Sequence, residues 1–295
     1  MKFRFQGIEF GGRNSPLIVD PNFDAGAPSA RLGDWDSPGG DGARAGRDFV
    51  GSRLWAFTMR TNGENLDDAR AVDAELSAAW MDPSLRLVPG TVVPLFYDLG
   101  ETGVWRCVFG RPHPSYAGIN GGVLDRQGAG QIVADFRVLR PYHYSADEFS
   151  TTVTAVPEST GGLVAPLVAP LTVSASGGSA ARFATNGGNA DGPVRLVFQG
   201  PSQNPSVELA NGWWFGLNHT LAFDERVEVD AMTGLVSRWF GTGDPVPDYS
   251  LVAGRSSPVT SLHIPPGEQE FWYSAADATG TSSVTVFWRD AHTNI

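Results

Sequence analysis

Residues 130–140 read GQIVADFRVLR, and apolar side chains occupy every second position through the middle of this stretch. Ile132, Ala134, Phe136 and Val138 share one face, whereas polar side chains such as Asp135 share the other. This period of two predicts a β-strand with one buried face. The stretches 2–10, 50–60, 91–99 and 102–110 are predicted as strands too, so the first part of the chain is expected to form a β-barrel.

One segment in the first part of the chain has a helical period instead. From Leu66 to Trp80, apolar residues recur at steps of three and four, which places them on one stripe of a helix. Asn65 can cap the first turn, and Pro83 follows shortly after the last apolar position. The pattern predicts a helix over residues 65–81 that packs its apolar stripe against the sheet.

The second part of the chain predicts a separate domain. Between Ser145 and Ser179 the composition shifts to Thr, Val, Pro, Ala, Gly and Ser with few charges, which is typical of a linker. We therefore expect a first domain over 1–150, a linker over 151–178 and a second domain over 179–295. In the second domain, short alternating runs recur about every 10 residues between Gly, Pro, Asn and Asp, which predicts a β-sandwich.

Composition excludes several classes of protein. The chain has 295 residues, 41% of them hydrophobic, so it is expected to fold around buried cores. Its formal net charge of -11 argues against a sequence-specific nucleic-acid partner, since such a surface would repel phosphates. The single cysteine, Cys107, excludes an intrachain disulfide and a cysteine-cluster zinc site. No apolar run is long enough to predict a membrane segment, and no signal peptide is visible at the N-terminus.

Motifs that carry chemistry are scarce, so we expect no enzyme, no cofactor and no metal site. Asp20 to Asp24 has the alternating carboxylates of a calcium loop, but Ala25 and Arg31 stand where that loop needs Gly and Glu. Asp34 and Asp36 flank Trp35, a pattern compatible with a glycoside hydrolase, although a turn capped by aspartates explains it better. A hydrolase that degrades a cell wall is therefore kept only as a hypothesis for the function.

Aromatic runs in the second domain, Trp213–Phe215 and Phe271–Tyr273, have three interpretations. Alternation along a sandwich strand favours core packing for most of these side chains. Contact with another subunit or stacking against a sugar ring are the alternatives. The candidate aromatic residues for a ligand or partner are Trp214 and Trp272.

The glycine-rich loop 34–48 is expected either to be mobile or to contact a partner. A long edge loop of this kind suits the heterologous contacts that close a ring. The residues of this loop that we take as candidate subunit contacts are Trp35, Asp36, Asp41, Arg44 and Arg47.

The order of motifs along the chain resembles siphophage distal tail (Dit-type) minor tail proteins, especially those of phages of actinobacteria. The resemblance begins with DSPGGDGARAGRD at 36–48, followed by a strand and the helix at 65–81. It continues with GGL at 161–163, NGG at 186–188, PVRLVFQGP at 193–201 and VTVFWRDA at 284–291. It thus covers nearly the whole chain.

This resemblance implies a fold and a function. The family has an N-terminal split β-barrel with one helix, six copies of which form a ring, and a C-terminal galectin-like β-sandwich that projects outward. The implied partners are further copies of the chain, a tail tube protein and a baseplate hub or tail-associated protein. The implied place is the tail tip of a virion assembled in the host cytoplasm, with a lumen that lets DNA pass. The alternative function is a carbohydrate-binding module that attaches a particle or an enzyme to the host cell wall.

Overall fold

A computed structural model describes residues 1–155, 180–277 and 279–294 and divides the chain into two compact units. The first unit comprises Met1–Ala146 with the C-terminal residues from Thr293, and the second comprises Asp147–His292. The sequence places a linker at 151–178, but residues 151–154 belong to a strand of the second unit, Phe149–Thr154. The β-branched run Thr151-Thr152-Val153 favours that strand. The rest of the expected linker, from residue 156, lies outside the described residues.

The first unit is mainly β. Its strands are β1 (Lys2–Phe5), β2 (Ile8–Phe10), β3 (Leu17–Val19), β4 (Ala30–Arg31), β5 (Trp35–Asp36), β6 (Ala43–Arg44), β7 (Phe49–Val50), β8 (Arg53–Thr61), β9 (Val93–Asp98), β10 (Arg106–Ala117), β11 (Gln131–Val138) and β12 (His143–Ser145). Its helices are α1 (Leu66–Trp80), α2 (Pro83–Leu87) and α3 (Val123–Arg126).

The large sheet of this unit is an almost closed barrel. Its strand order is β2-β1-β9-β10-β11-β8-β3, and all of these neighbours are antiparallel. The two end strands meet where the Gly11 N–H donates to the Leu17 carbonyl over 2.7 Å. The alternation of β11 is as predicted, because Ile132, Ala134, Phe136 and Val138 are all fully buried. The barrel interior is therefore filled with side chains.

Helix α1 closes this core. The Asn65 side chain accepts hydrogen bonds from the N–H groups of Asp67 and Asp68, and the stripe that includes Leu76 and Trp80 is buried. The Trp80 indole N–H donates to the Asp135 carbonyl over 3.1 Å. Pro83, expected only to stop this helix, begins α2, because proline fits the first turn of a helix and Asp82 caps it.

The second unit is a two-sheet sandwich. Its strands are β13 (Phe149–Thr154), β14 (Ala180–Asn186), β15 (Gly192–Pro193), β16 (Arg195–Gln199), β17 (Ser202–Leu209), β18 (Trp214–Gly216), β19 (Thr220–Leu221), β20 (Glu225–Asp230), β21 (Leu235–Phe240), β22 (Val246–Pro247), β23 (His263–Ile264), β24 (Gly267–Ala276), β25 (Ser283–Trp288) and β26 (Ala291–His292).

One sheet has the order β13-β25-β16-β20-β21-β22, and the other has β14-β24-β17-β18 with β19 on β17. Apolar side chains such as Phe198, Phe215 and Phe271 are fully buried within this unit. The predicted architecture, a barrel with a helix and a β-sandwich, is confirmed. Among the described helices, none is both long enough and apolar enough to cross a bilayer.

Candidate functional site

Residues 27–52, which we call the arm, leave the barrel between β3 and β8 as a two-stranded ribbon. Strand β4 pairs with β7, and β5 pairs with β6 through Trp35 opposite Arg44 and Asp36 opposite Ala43. No residue from 27 to 50 is buried. The structure thus brings all five candidate contact residues onto one exposed ribbon, where their contacts with a partner stay a prediction.

Two glycines allow the ribbon strands to approach closely. A Cβ atom on Gly33 would lie 2.4 Å from the Arg47 carbonyl oxygen, which leaves no room for a side chain. The Gly33 N–H donates to Asp48 Oδ1 over 3.1 Å, and the Gly46 N–H donates to Asp34 Oδ1 over 2.9 Å. Asp34 and Asp48 therefore hold the arm in shape. This role of Asp34 supports the turn interpretation of the Asp34–Asp36 pair over the catalytic one.

The two strands of the arm are joined at its root by backbone hydrogen bonds. The Gly51 N–H donates to the Ser29 carbonyl over 2.6 Å, and the Ser29 N–H donates to the Ser52 carbonyl over 3.2 Å. Just before the root, the carboxylates of Asp20 and Asp24 accept from the N–H groups two residues ahead. These bonds are those of ordinary aspartate turns. Within the described residues, no group of three or more acidic, His or Cys side chains could hold a metal ion.

The arm exposes apolar surface that its own chain does not cover. Leu32 is 70% exposed and Trp35 is 52% exposed. The Phe49 ring is flanked by the guanidinium groups of Arg31 and Arg47, each about 5 Å from the ring centre. A two-stranded ribbon is only marginally stable alone in water, and clustered apolar surface of this kind marks a contact site. The arm is therefore the strongest candidate for a protein-binding element.

The two aromatic candidates of the second unit, Trp214 and Trp272, lie on the same face of their sheet. Trp213, Phe215, Phe271 and Tyr273 are buried, as core packing predicts, whereas Trp272 is 45% exposed. Strands β17, β18 and β24 are adjacent, so Glu208 stands opposite both Trp214 and Trp272.

The two tryptophans differ in accessibility. The guanidinium group of Arg255 lies 3.8 Å from the centre of a Trp214 ring, which partly covers that side chain. Trp272 is thus the more accessible of the two. Sugar stacking or partner contact at this face stays a prediction.

A buried polar cluster in the second unit is not predicted by the sequence. The Glu225 carboxylate is buried and accepts hydrogen bonds from the Ala222 N–H over 3.0 Å and from Arg238 Nε, while His219 Nε2 lies 3.0 Å from Oε1. Burial raises the pKa of Glu225, but these hydrogen bonds and the two basic neighbours outweigh burial and hold the pKa below its usual value. The only sequence signal is the separation of six residues between His219 and Glu225, so this cluster could be found only from the strand register.

Comparison with known proteins gives no match to any family model and none to any curated protein. Solved structures do match over the whole length. The SPP1 Dit protein (gp 19.1), described as a paradigm of the hub adsorption apparatus in phages that infect Gram-positive bacteria, is 14% identical with a TM-score of 0.50, covering 92% of this chain and 97% of its own. The chain has the distal tail protein fold.

Two baseplate structures agree with this assignment of the fold. In the phage P2 baseplate in its activated conformation with Ca, the matching chain is 9% identical with a TM-score of 0.57, covering 100% of this chain and 99% of that one. In the activated baseplate with Sr, the matching chain is 11% identical with a TM-score of 0.58, covering 100% of this chain and 98% of that one. At such identities the likeness concerns the fold, a split barrel with a helix followed by a galectin-like sandwich.

Proposed function

We propose that this chain is a structural protein of a phage tail tip, where copies of it form a six-membered ring that joins the tail tube to the baseplate hub. The observation that carries the proposal is the arm, since a ribbon without any buried residue between 27 and 50 needs a second surface to cover its apolar side chains. The distal tail protein fold supports the same role. The partners are then further copies, a tail tube protein and a hub protein, and the place is the virion.

The proposed ring transforms no molecule. Its net charge of -11 per copy would repel DNA phosphates wherever those charges face the lumen, so that DNA could pass without adhering. The carbohydrate-binding alternative has one favourable observation, the exposed Trp272 with Glu208 beside it. Aromatic rings stack on sugars and carboxylates bind their hydroxyl groups, so this face is the place to test for glycan binding.

Deletion of the arm tests the proposal. Removal of residues 30–50 joins Ser29 to Gly51, whose backbone atoms are already hydrogen-bonded at 2.6 Å, so the barrel is expected to fold unchanged. Mass photometry and negative-stain microscopy of the wild type are expected to give six-fold rings, and the deletion variant is expected to be monomeric with the same melting temperature. A wild-type chain that stays monomeric at all concentrations would refute the ring, whereas rings that survive the deletion would refute the role of the arm in forming it.

A further inference from the structure

Arginine side chains gather on the outer face of the barrel beside the root of the arm. Arg111 on β10 and Arg137 on β11 are direct cross-strand partners. Together with Arg86 of α2 and His113 they line a surface cavity of about 300 Å³. We call these four residues the basic patch.

The basic patch has no anionic partner within the part of the chain that the structure describes. None of the ion pairs there includes Arg86, Arg111 or Arg137. Among the described residues, the hydrogen-bond partner of the Arg137 guanidinium is the Ser52 hydroxyl, at 3.3 and 3.4 Å. The carboxylate on the same face of β11, Asp135, accepts a hydrogen bond from Ser115 Oγ over 2.6 Å. The basic patch is therefore open to an external carboxylate.

Two features of the basic patch indicate which kind of partner it takes. Like charges directly opposite each other on neighbouring strands repel, so a bound anion would relieve the repulsion between Arg111 and Arg137. Leu87, which is largely exposed, and Leu54, which is 42% exposed, lie at the edges of the patch. The matching partner is an acidic segment that also carries an apolar side chain.

The tip of the arm has this chemistry. Residues 36–43 read DSPGGDGA, with two carboxylates and no positive charge, and the exposed Trp35 precedes them. The side chains of Asp34 and Asp48 are engaged inside the arm, whereas no hydrogen bond or ion pair of the Asp36 or Asp41 carboxylate is found among the described residues. Arginine and carboxylate groups pair through two parallel hydrogen bonds, so Asp36 and Asp41 complement Arg111 and Arg137.

The length of the arm argues against a contact between the tip and the patch of one chain. A second surface cavity of about 400 Å³ is lined by Ser29 and Ser52 of the arm root and also by His113 and Arg137, so the patch adjoins the root. From Ser29 to Gly39 an extended strand covers about 3.3 Å per residue, or about 30 Å in all. The cross-strand pairs of β4 with β7 and β5 with β6 keep the arm extended, so the tip reaches away from its own root.

We propose that the acidic tip of the arm of one copy binds the basic patch of the next copy. The contact joins the tip of one copy to the root of its neighbour, so it is heterologous and closes into a ring when the rotation between copies closes. This inference rests on the proposed function, because it names the surface that the arm covers.

Cysteine cross-linking tests the contact directly. The native Cys107 is fully buried, so it is not expected to react in the folded chain. A double variant, Asp41→Cys with Arg111→Cys, is expected to form a ladder of covalent oligomers under mild oxidation on a non-reducing gel. Each single variant is the matched control and is expected to give no ladder beyond a dimer.

Charge reversal gives a second measurement. Arg111→Glu with Arg137→Glu is expected to raise the concentration needed for half-assembly about tenfold or more, since the reversed charges remove the charged hydrogen bonds and repel the acidic tip. Asp36→Arg with Asp41→Arg is expected to have the same effect, and an equal mixture of the two variants is expected to recover part of the assembly. Arg60→Glu, which reverses an exposed charge on β8 outside the patch, is the control. Should the reversed chains fail to fold by circular dichroism, Arg111→Gln and Arg137→Gln replace them.

The outcomes separate this inference from the proposed function. Rings that form without the cysteine ladder and ignore the charge reversals would overturn the tip-to-patch contact and leave the ring intact. A wild type that forms no oligomer would overturn both. If binding of a labelled double-stranded DNA oligonucleotide were lost in Arg111→Glu with Arg137→Glu while assembly stayed unchanged, the patch would bind phosphates instead, and the inference would be wrong.

Discussion

Gly46 and Gly33 face each other across the arm so closely that a Cβ atom on Gly46 would come within 1.8 Å of the Gly33 carbonyl oxygen. Backbone atoms at that distance must move, so Gly46→Ala is expected to splay the ribbon. Because the arm has no buried residue, the free energy of unfolding of the barrel is expected to change by less than about 0.5 kcal/mol.

Assembly of Gly46→Ala is expected to weaken instead, with the concentration for half-assembly raised at least several-fold in mass photometry. Gly254→Ala, which lies outside the arm, is the matched control, since nothing lies within 4 Å of a Cβ atom at that position and it is expected to assemble like the wild type. Normal assembly of Gly46→Ala would show that the shape of the arm does not matter.

Glu225 makes the stability of the second unit depend on pH. Its pKa is lowered in the folded state, so the carboxylate stabilises the fold above the unfolded pKa of roughly 4.3, and this contribution is lost as pH falls through the folded pKa. At pH 7, Glu225→Gln is expected to cost about 1 to 3 kcal/mol, because Arg238 and His219 lose a charged partner.

Thermal melts between pH 7 and pH 3 check this expectation. The difference in melting temperature between wild type and Glu225→Gln is expected to shrink as falling pH protonates the Glu225 carboxylate. Glu208→Gln replaces an exposed carboxylate and is expected to track the wild type at every pH. A constant difference across the range would contradict the expected role of the carboxylate charge.

Truncation of Trp213 is expected to lower the free energy of unfolding much more than truncation of Trp272. Trp213 is buried and its indole N–H donates to the His263 carbonyl over 2.8 Å, so Trp213→Ala is expected to cost about 3 to 5 kcal/mol. Trp272 lies on the outer face, so Trp272→Ala is expected to cost about 1 kcal/mol or less in denaturant unfolding. Glycan-array binding by the wild type that disappears in Trp272→Ala would favour the carbohydrate-binding alternative; equal costs for the two truncations would contradict the assigned faces.

Local patterns predict much of this fold. The helix from Leu66 to Trp80 follows from its apolar period and from Asn65, because capping and periodicity are properties of neighbouring residues. The burial of Phe215 and exposure of Trp272 follow from strand alternation once the strands are known. Such features need no knowledge of distant parts of the chain.

The basic patch could not be predicted in the same way. Arg111 and Arg137 meet only through the register of β10 with β11, which shifts between Pro112 and Tyr116. Arg86 joins them from α2, a helix that Pro83 begins although the sequence suggests only an end there. The ribbon form of the arm was hidden for a related reason, since Gly33 and Gly46 look like loop glycines until the two strands are paired.

The absence of any buried side chain from 27 to 50 also bears on how such a protein can change over generations. A substitution at most of these positions leaves the interior of its own chain untouched, so selection acts there only through whatever surface the ribbon meets. Gly33 and Gly46 are held by backbone geometry and Asp34 by its hydrogen bond to Gly46, whereas the other side chains between the two glycines are free to change together with the surface they meet. The ribbon can thereby come to bind a changed surface without loss of stability in the barrel that carries it.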